Sequence, residues 1–233
     1  MRRKASELTL KMLAIRALRS MVQAYGLRRT SEILKLSPVV ISRYTNGRTL
    51  PKTERAKELL KTFKEHYLED VVRRKLNVRD GVINIADLLH DIQLLDLISF
   101  VIFPKYSEGV DKVLTKEVDG IPLATLVSRY LGASLVVAKK RKEPGIERFL
   151  EVRQTYESGL YTFIYIPANH LKQGDSVLIV DDILRSGSTI RALVRAVRER
   201  NAKVAGIFTI VALSSGIKSL EKEGLEVDAL VRI

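Results

Sequence analysis

Val177-Leu-Ile-Val-Asp-Asp-Ile-Leu-Arg-Ser-Gly-Ser-Thr189 is the stretch on which the reading of this chain turns. Val177 to Val180 is apolar without alternation, as in a parallel strand covered on both faces. Two carboxylates, Asp181 and Asp182, close the strand. The loop Arg185, Ser186, Gly187, Ser188 and Thr189 then feeds a helix predicted over 188–200. Backbone N–H groups gathered at a helix N-terminus hold phosphate, and Ser186, Ser188 and Thr189 add hydroxyl donors. The aspartate pair can accept from the vicinal hydroxyls of a ribose. Paired aspartates at a strand end can also be purely structural, but a following Ser-Gly-Ser-Thr favours the ligand. The chemistry implied is a ribose 5-phosphate group lying over a strand C-terminus, the usual ligand crevice of an α/β sheet.

Outward from this stretch the pattern alternates. A strand at 204–211 follows the helix, and Val113-Leu114 and Leu135-Val-Val-Ala138 are shorter strands separated by a helix at 121–131. Segments 149–155 and 160–166 flank Glu157-Ser-Gly159 and read as a hairpin. Tyr161, Phe163 and Tyr165 alternate along its second arm, a core or interface pattern more than a base-stacking platform. The expected architecture here is α/β with a mainly parallel sheet. Upstream lies an apolar-periodic helix at about 84–101, preceded by a break from Asn77 to Gly81. The first third is all helical: 7–25, stopped by Gly26, then 28–35, Val39–Thr45 and 53–75. Ser37 suits an N-cap and Pro38 the first helical position.

Composition narrows the chemistry. The 233 residues contain no Cys and three His, which excludes thiol nucleophiles, disulfides and Cys-zinc sites and disfavours a His-rich metal site. No metal is expected to be held by protein side chains alone. No apolar run approaches the ~18 residues of a membrane span, and Met-Arg-Arg-Lys at the start leads into no apolar signal segment. No membrane partner and a cytoplasmic location are expected. The net charge of +13 is uneven: residues 1–80 carry 20 Lys and Arg against 8 Asp and Glu, whereas residues 81–233 carry 20 against 19. A basic third joined to a neutral remainder suggests two modules, one of which meets a polyanion.

Segment 28–47, Arg28-Arg-Thr-Ser-Glu-Ile-Leu-Lys-Leu-Ser-Pro-Val-Val-Ile-Ser-Arg-Tyr-Thr-Asn-Gly47, resembles the helix-turn-helix of DNA-binding regulators. Ile33, Leu36, Ile41 and Tyr44 would form its small core. Ser37, Val39, Ser42, Arg43 and Asn46 would face outward, and Arg28, Arg29, Arg48 and Lys52 would flank the DNA backbone. Lys35 stands where the turn usually has Gly, and a left-handed non-Gly residue there costs about 1 kcal/mol.

The stretch 177–189 in turn closely resembles the phosphoribosyl-diphosphate (PRPP) signature of type I phosphoribosyltransferases, and the resemblance extends over roughly residues 81–213. It implies that Thr115, Lys116, Glu117, Val118, Asp119 and Gly120 form the pyrophosphate loop, that Lys139 and Lys140 lie near pyrophosphate, and that 139–160 holds the mobile active-site loop. Two positions depart from the family pattern: Arg185 replaces a small loop residue, and Asp119 stands where a basic residue or Gly usually precedes Gly-Ile-Pro. A carboxylate beside a pyrophosphate repels it. The basic Arg185 in the phosphate loop resembles the purine-repressor type of regulator, and a helix-turn-helix followed by this fold is similar to archaeal sugar-catabolism regulators.

The expectation is therefore a homodimeric transcription regulator on double-stranded DNA that senses PRPP or a related phosphorylated ribose without transferring it. Its parts would be a helix-turn-helix domain at 1–56, a linker helix at 57–80 and a phosphoribosyltransferase-like domain at 81–233. No cofactor would be permanently bound, with Mg²⁺ entering together with PRPP. The competing reading is an active phosphoribosyltransferase, joining nucleobase and PRPP, with an added nucleic-acid-binding domain. An RNA-binding role on this fold fits the charge alone.

Overall fold

Helix α1 (Glu7–Tyr25) turns Leu13, Ala14, Ala17, Leu18 and Met21 to one buried face, the spacing of an amphipathic helix. Against it pack α2 (Leu27–Leu34), α3 (Pro38–Thr45) and α4 (Thr53–Thr62). The computed structural model describes residues 7–79, 82–106 and 108–233. The basic start Met1 to Lys4 and Gly81, the end of the expected break, lie outside the described residues. Between α2 and α3 the chain turns through Lys35, which adopts the left-handed conformation with φ 52°. Ser37 caps α3 by accepting from the Val40 N–H at 3.3 Å, and Pro38 occupies the first turn, where a missing N–H is harmless. Ile41 is fully buried, while Ile33, Leu36 and Tyr44 are half-buried.

The helix expected over 53–75 is interrupted. After α4 comes a π-helical turn, Phe63–Tyr67, and then α5 (Leu68–Arg73). The extra residue in the wide turn lets both Phe63 and Leu68 face inward while Lys64, Glu65 and His66 stay in water. The expected break holds a small antiparallel pair, β1 (Asn77–Arg79) and β2 (Val82–Asn84). The helix expected over 84–101 is likewise two, α6 (Ala86–His90) and α7 (Ile92–Ile102). Asp91 divides them, and its carboxylate accepts from the Leu94 N–H at 3.0 Å to cap the second.

The chain divides into two compact units, Met1–Val101 and Ile102–Ile233. A closed helix-turn-helix domain ending at residue 56 does not emerge as a unit of its own. The reason is that α4 packs along α1, and an ion pair from Arg16 on α1 to the buried Asp96 on α7 ties the first helix to the last of this unit.

In the second unit a 3₁₀ turn, Phe103–Tyr106, precedes β3 (Lys112–Lys116), α8 (Ile121–Leu131), β4 (Ser134–Ala138), β5 (Phe149–Thr155), β6 (Tyr161–Pro167), β7 (Ser176–Leu184), α9 (Ser188–Glu199), β8 (Lys203–Ala212), α10 (Ser214–Glu221) and β9 (Asp228–Arg232). Five strands form a parallel sheet in the order β4-β3-β7-β8-β9, and β5 and β6 form a separate antiparallel hairpin. The α/β architecture with a mainly parallel sheet is as expected. Helix α9 lays Ile190, Leu193, Val194 and Val197 into the core and packs on β5, β7 and β8.

The central strand β7 outruns the four apolar residues that announce it, reaching Leu184. Its ladder with β3 ends at Leu114 opposite Ile179, whereas its ladder with β8 continues to Leu184 opposite Ala212. Asp181 and Asp182 therefore emerge past the end of the β3 ladder, where the turn between β3 and α8 takes the vacated place.

Candidate active site

The loop after β7 is built to present donors. Gly187 takes φ 85°, a left-handed conformation that suits glycine, and a Cβ there would lie 2.9 Å from the Leu220 side chain. As N-cap of α9 it supplies no capping side chain, so the first N–H groups of a twelve-residue helix have no side-chain cap from that position. Ser186, Ser188 and Thr189 are half-buried around it and Arg185 is exposed. The loop is braced from behind. Arg191 donates to the Ser186 carbonyl at 2.8 Å, to Ser219 Oγ at 2.7 Å and to Glu223 Oε1 at 2.7 Å.

Asp181 and Asp182 are each only 7 % exposed. Burial pushes the Asp181 carboxyl well above the ordinary carboxylate range, and the neighbouring Asp182 adds to this; Lys116 pulls the other way. Burial also raises Asp182, with the Asp119 charge adding to the shift and a hydrogen bond from Asp181 opposing it. Two adjacent desolvated carboxylates cannot both carry full charge cheaply, which favours a proton on the pair unless something compensates the charge. Ribose hydroxyls or a cation carried in with a diphosphate would do so.

The turn between β3 and α8 closes on this pair. Thr115 is buried at the end of β3, and Gly120 passes so near that a Cβ would sit 2.3 Å from Thr115 Oγ1 and 3.2 Å from Asp181 Oδ1. Only glycine allows that approach. A cis peptide joins Glu117 to Val118, and Val118 and Asp119 are exposed at the tip. Glu117 donates its N–H to the Ala138 carbonyl at 3.0 Å and accepts from the Lys140 N–H through Oε1 at 2.5 Å. The loop after β4 is thus drawn to the loop after β3, while the Lys139 ammonium pairs with Glu143 at 2.5 Å.

Thr115, Lys116, Gly120, Asp181, Asp182, Ser188 and Thr189 therefore converge, with Glu117, Lys139 and Lys140 beside them. Sequence reasoning missed Gln154. This residue is 1 % exposed and lies between Lys116 and the two hydroxyls, accepting from Lys116 Nζ at 2.8 Å and donating to Ser188 Oγ and Thr189 Oγ1 at 3.2 Å each. The signal was available, because Gln154 shares an inward strand face with Val152, and a polar residue there needs a partner. Arg191 carried no such signal on a helix with several arginines. Among the described residues no group of three or more His, Asp or Glu is arranged to hold a metal ion unaided, and no helix is long and apolar enough to cross a membrane.

In the first unit some of the residues read as DNA contacts have local partners. Arg28 and Arg29 both pair with Glu32, at 3.6 and 3.0 Å. Asn46 donates to Ser42 Oγ at 3.2 Å, Ser37 caps its own helix, and the Arg48 N–H closes a turn onto the Arg43 carbonyl. Val39 stands exposed.

The model of the phosphoribosyl transferase domain matches residues 86–231. The chain belongs to that family. Among its relatives, the hypoxanthine/guanine phosphoribosyltransferase of Methanohalophilus mahii is 34% identical over 145 residues, covering 61% of this chain and 73% of the relative. The xanthine phosphoribosyltransferase of Bacillus licheniformis is 35% identical over 130 residues, covering 54% and 67%. Solved structures agree on the fold. Adenine phosphoribosyltransferase from Rhodothermus marinus aligns with a TM-score of 0.63 at 21% identity, over 71% of this chain and 98% of that one. The Trypanosoma brucei enzyme, in complex with AMP, pyrophosphate and ribose-5-phosphate, aligns at 0.64 with 13% identity, over 72% and 81%.

These likenesses overturn the regulator. The relatives are named as transferases, so the non-catalytic sensor, the transcriptional role and the DNA partner assigned to Arg28, Arg29, Ser37, Val39, Ser42, Arg43, Asn46 and Arg48 are withdrawn. The dimer expected from two operator half-sites goes with them. The physical reasons are local. Several basic side chains of residues 1–80 lie in ion pairs one helical turn apart, Arg55 with Glu58, Lys57 with Glu54, Arg73 with Glu69 and Arg74 with Asp70, which leaves the surplus of basic over acidic residues unchanged. The two departures read as loss of catalysis, Arg185 and Asp119, are both exposed.

Proposed function

We propose that the protein is a phosphoribosyltransferase that moves the 5-phosphoribosyl group of PRPP onto a purine base of the hypoxanthine, guanine or xanthine kind. The bond between ribose C1 and the diphosphate breaks as a bond from C1 to a base nitrogen forms; pyrophosphate leaves, and the proton of that nitrogen is released to water. The observation that carries this reading is the Asp181–Asp182 pair standing between the donor-lined loop 185–189 and the turn 115–120, in a chain 34% identical to a hypoxanthine/guanine enzyme. The activity is assigned to the part of the chain from residue 81 onward.

The roles follow from position. The N–H groups at the start of α9, with Ser186, Ser188 and Thr189, bind the 5′-phosphate. Asp181 and Asp182 accept from the ribose hydroxyls. Lys116 and the backbone of 117–120 face the diphosphate, where positive charge and aligned N–H groups stabilise the leaving group, and Lys139 and Lys140 lie close to that end. Mg²⁺ arriving with PRPP supplies neutralisation of diphosphate charge. The acidic Asp119 and the raised carboxyl of Asp182 are groups that such a cation relieves. A 6-oxopurine rather than adenine is favoured by the names of the relatives above 30% identity, since the adenine enzymes share the fold at lower identity.

The test is pyrophosphate release from PRPP and Mg²⁺ with hypoxanthine, guanine, xanthine and adenine in turn. Turnover with one or more of the 6-oxopurines is expected. PRPP binding with no turnover on any base would overturn the proposal.

A further inference from the structure

Gln154 belongs to the hairpin, not to either ligand loop, yet it joins them. Strand β5 carries it inward beneath α9, with Val152 buried on the same face. Arg195 of α9 donates to the Arg153 carbonyl at 3.4 Å, tying helix and hairpin at the same level.

The orientation of this amide is forced. An ammonium has only donors, so Lys116 Nζ at 2.8 Å must meet the amide oxygen. The amide NH₂ therefore faces Ser188 and Thr189, whose oxygens accept from it. A hydroxyl has one proton, and an oxygen that accepts from an amide directs its proton elsewhere. For Ser188 and Thr189, in the first turn of α9, that leaves the proton available to the loop side, where the first N–H groups of a helix point. Lys116, a residue of the turn facing the diphosphate, thus fixes through one buried amide the polarity of two hydroxyls in the 5′-phosphate cradle.

The geometry points to Gln154 as a positioning residue that keeps Ser188 and Thr189 as donors toward the 5′-phosphate and holds Lys116 in register with them, so that the two phosphate ends of one donor molecule are organised together. This rests on the phosphoribosyltransferase reading and extends it to a residue outside both loops.

Gln154→Glu tests the polarity at nearly constant shape. A carboxylate still holds Lys116 but accepts from the hydroxyls, reversing both. Affinity for ribose 5-phosphate, which carries only the 5′-phosphate, should fall at least tenfold by titration calorimetry, while affinity for pyrophosphate changes less than threefold. Gln154→Met keeps the bulk and removes both contacts, so it should weaken both ligands. In a Ser188→Ala, Thr189→Val background, Gln154→Glu should cost no further affinity for ribose 5-phosphate. Wild-type affinity of Gln154→Glu for ribose 5-phosphate, or equal losses for both ligands, would overturn the inference. Should Gln154→Glu fail to fold, Gln154→Met decides: unchanged affinity for both ligands overturns the inference. A wild-type protein that binds PRPP but shows no turnover would sink the transferase reading and leave the role of Gln154 standing. A wild-type protein that binds neither ribose 5-phosphate nor PRPP would sink both.

Discussion

Arg191 donates to the carbonyl oxygen of Ser186 from one turn inside the helix that the Ser186 loop opens. The remaining arms of the same guanidinium reach Ser219 and Glu223, so a single side chain staples the loop after β7 to α10 and the turn after it.

Arg191→Ala should therefore loosen the cradle as well as the fold. Losing a partly buried fork of charged hydrogen bonds costs about 1–3 kcal/mol, a fall in Tm of several degrees for a chain of this size. The KM for PRPP should rise about tenfold, with the KM for the purine base unchanged. Steady-state kinetics at varied PRPP would check this, and a KM for PRPP equal to wild type would show that the staple does not shape the site.

Asp181 makes the site expensive to maintain. Its folded carboxyl is raised above the ordinary value of 3.8, so the native state keeps a proton that the unfolded chain gives up. Stability is then lost as pH rises from about 4 through the raised folded value, because the native state is the one binding more protons there. Asp181→Asn removes the burden. Its Tm should exceed wild type by about 2–4 °C at pH 8 for each ~1 kcal/mol relieved, and the gap should close towards pH 4. Transferase activity should fall by about a hundredfold or more, the scale of losing a positioned polar catalytic group. Thermal melts across pH 4 to 8 would show the divergence, and parallel melting curves would contradict it.

How much of this was readable beforehand depended on whether a feature is local. The apolar run 177–180 and the small residues after it specify strand, turn and helix within thirteen letters, and the α/β class follows. The hairpin showed itself by alternation. By contrast, α10 and β9 lie in a stretch whose apolar residues, Ile217, Leu220, Leu225, Val227 and Val231, keep no single period, and only their docking on the core orders them. The wide turn at 63–67 needs the positions of Phe63 and Leu68 in space. For the site, aspartates and hydroxyls announced themselves by neighbours in sequence, whereas Gln154 reaches residues 38 positions before it and 34 and 35 after it.

The first unit has its own electrostatic anchor. Asp96 is 5 % exposed on α7 and is held by Arg16 of α1. Arg16→Met should cost about 3 kcal/mol, the lower end for breaking a buried pair, since the guanidinium keeps some contact with water. Asp96→Leu should cost less, because the cation left behind can turn outward. Replacing both at once should recover most of the loss, and urea melts of the three variants would show it. Strict additivity would mean that the two residues act independently.

The loops after β3 and β7 leave neighbouring strands of one ladder, and this makes the sheet a ruler. Adjacent strands stand about 4.8 Å apart, a spacing set by backbone hydrogen bonds that no side-chain substitution can lengthen. On the reading proposed above, the distance between the loop that would take the 5′-phosphate and the turn that would take the diphosphate is set by main chain. Side-chain substitution can change what either loop contacts, whereas changing the distance between the two loops would require rebuilding the strands themselves.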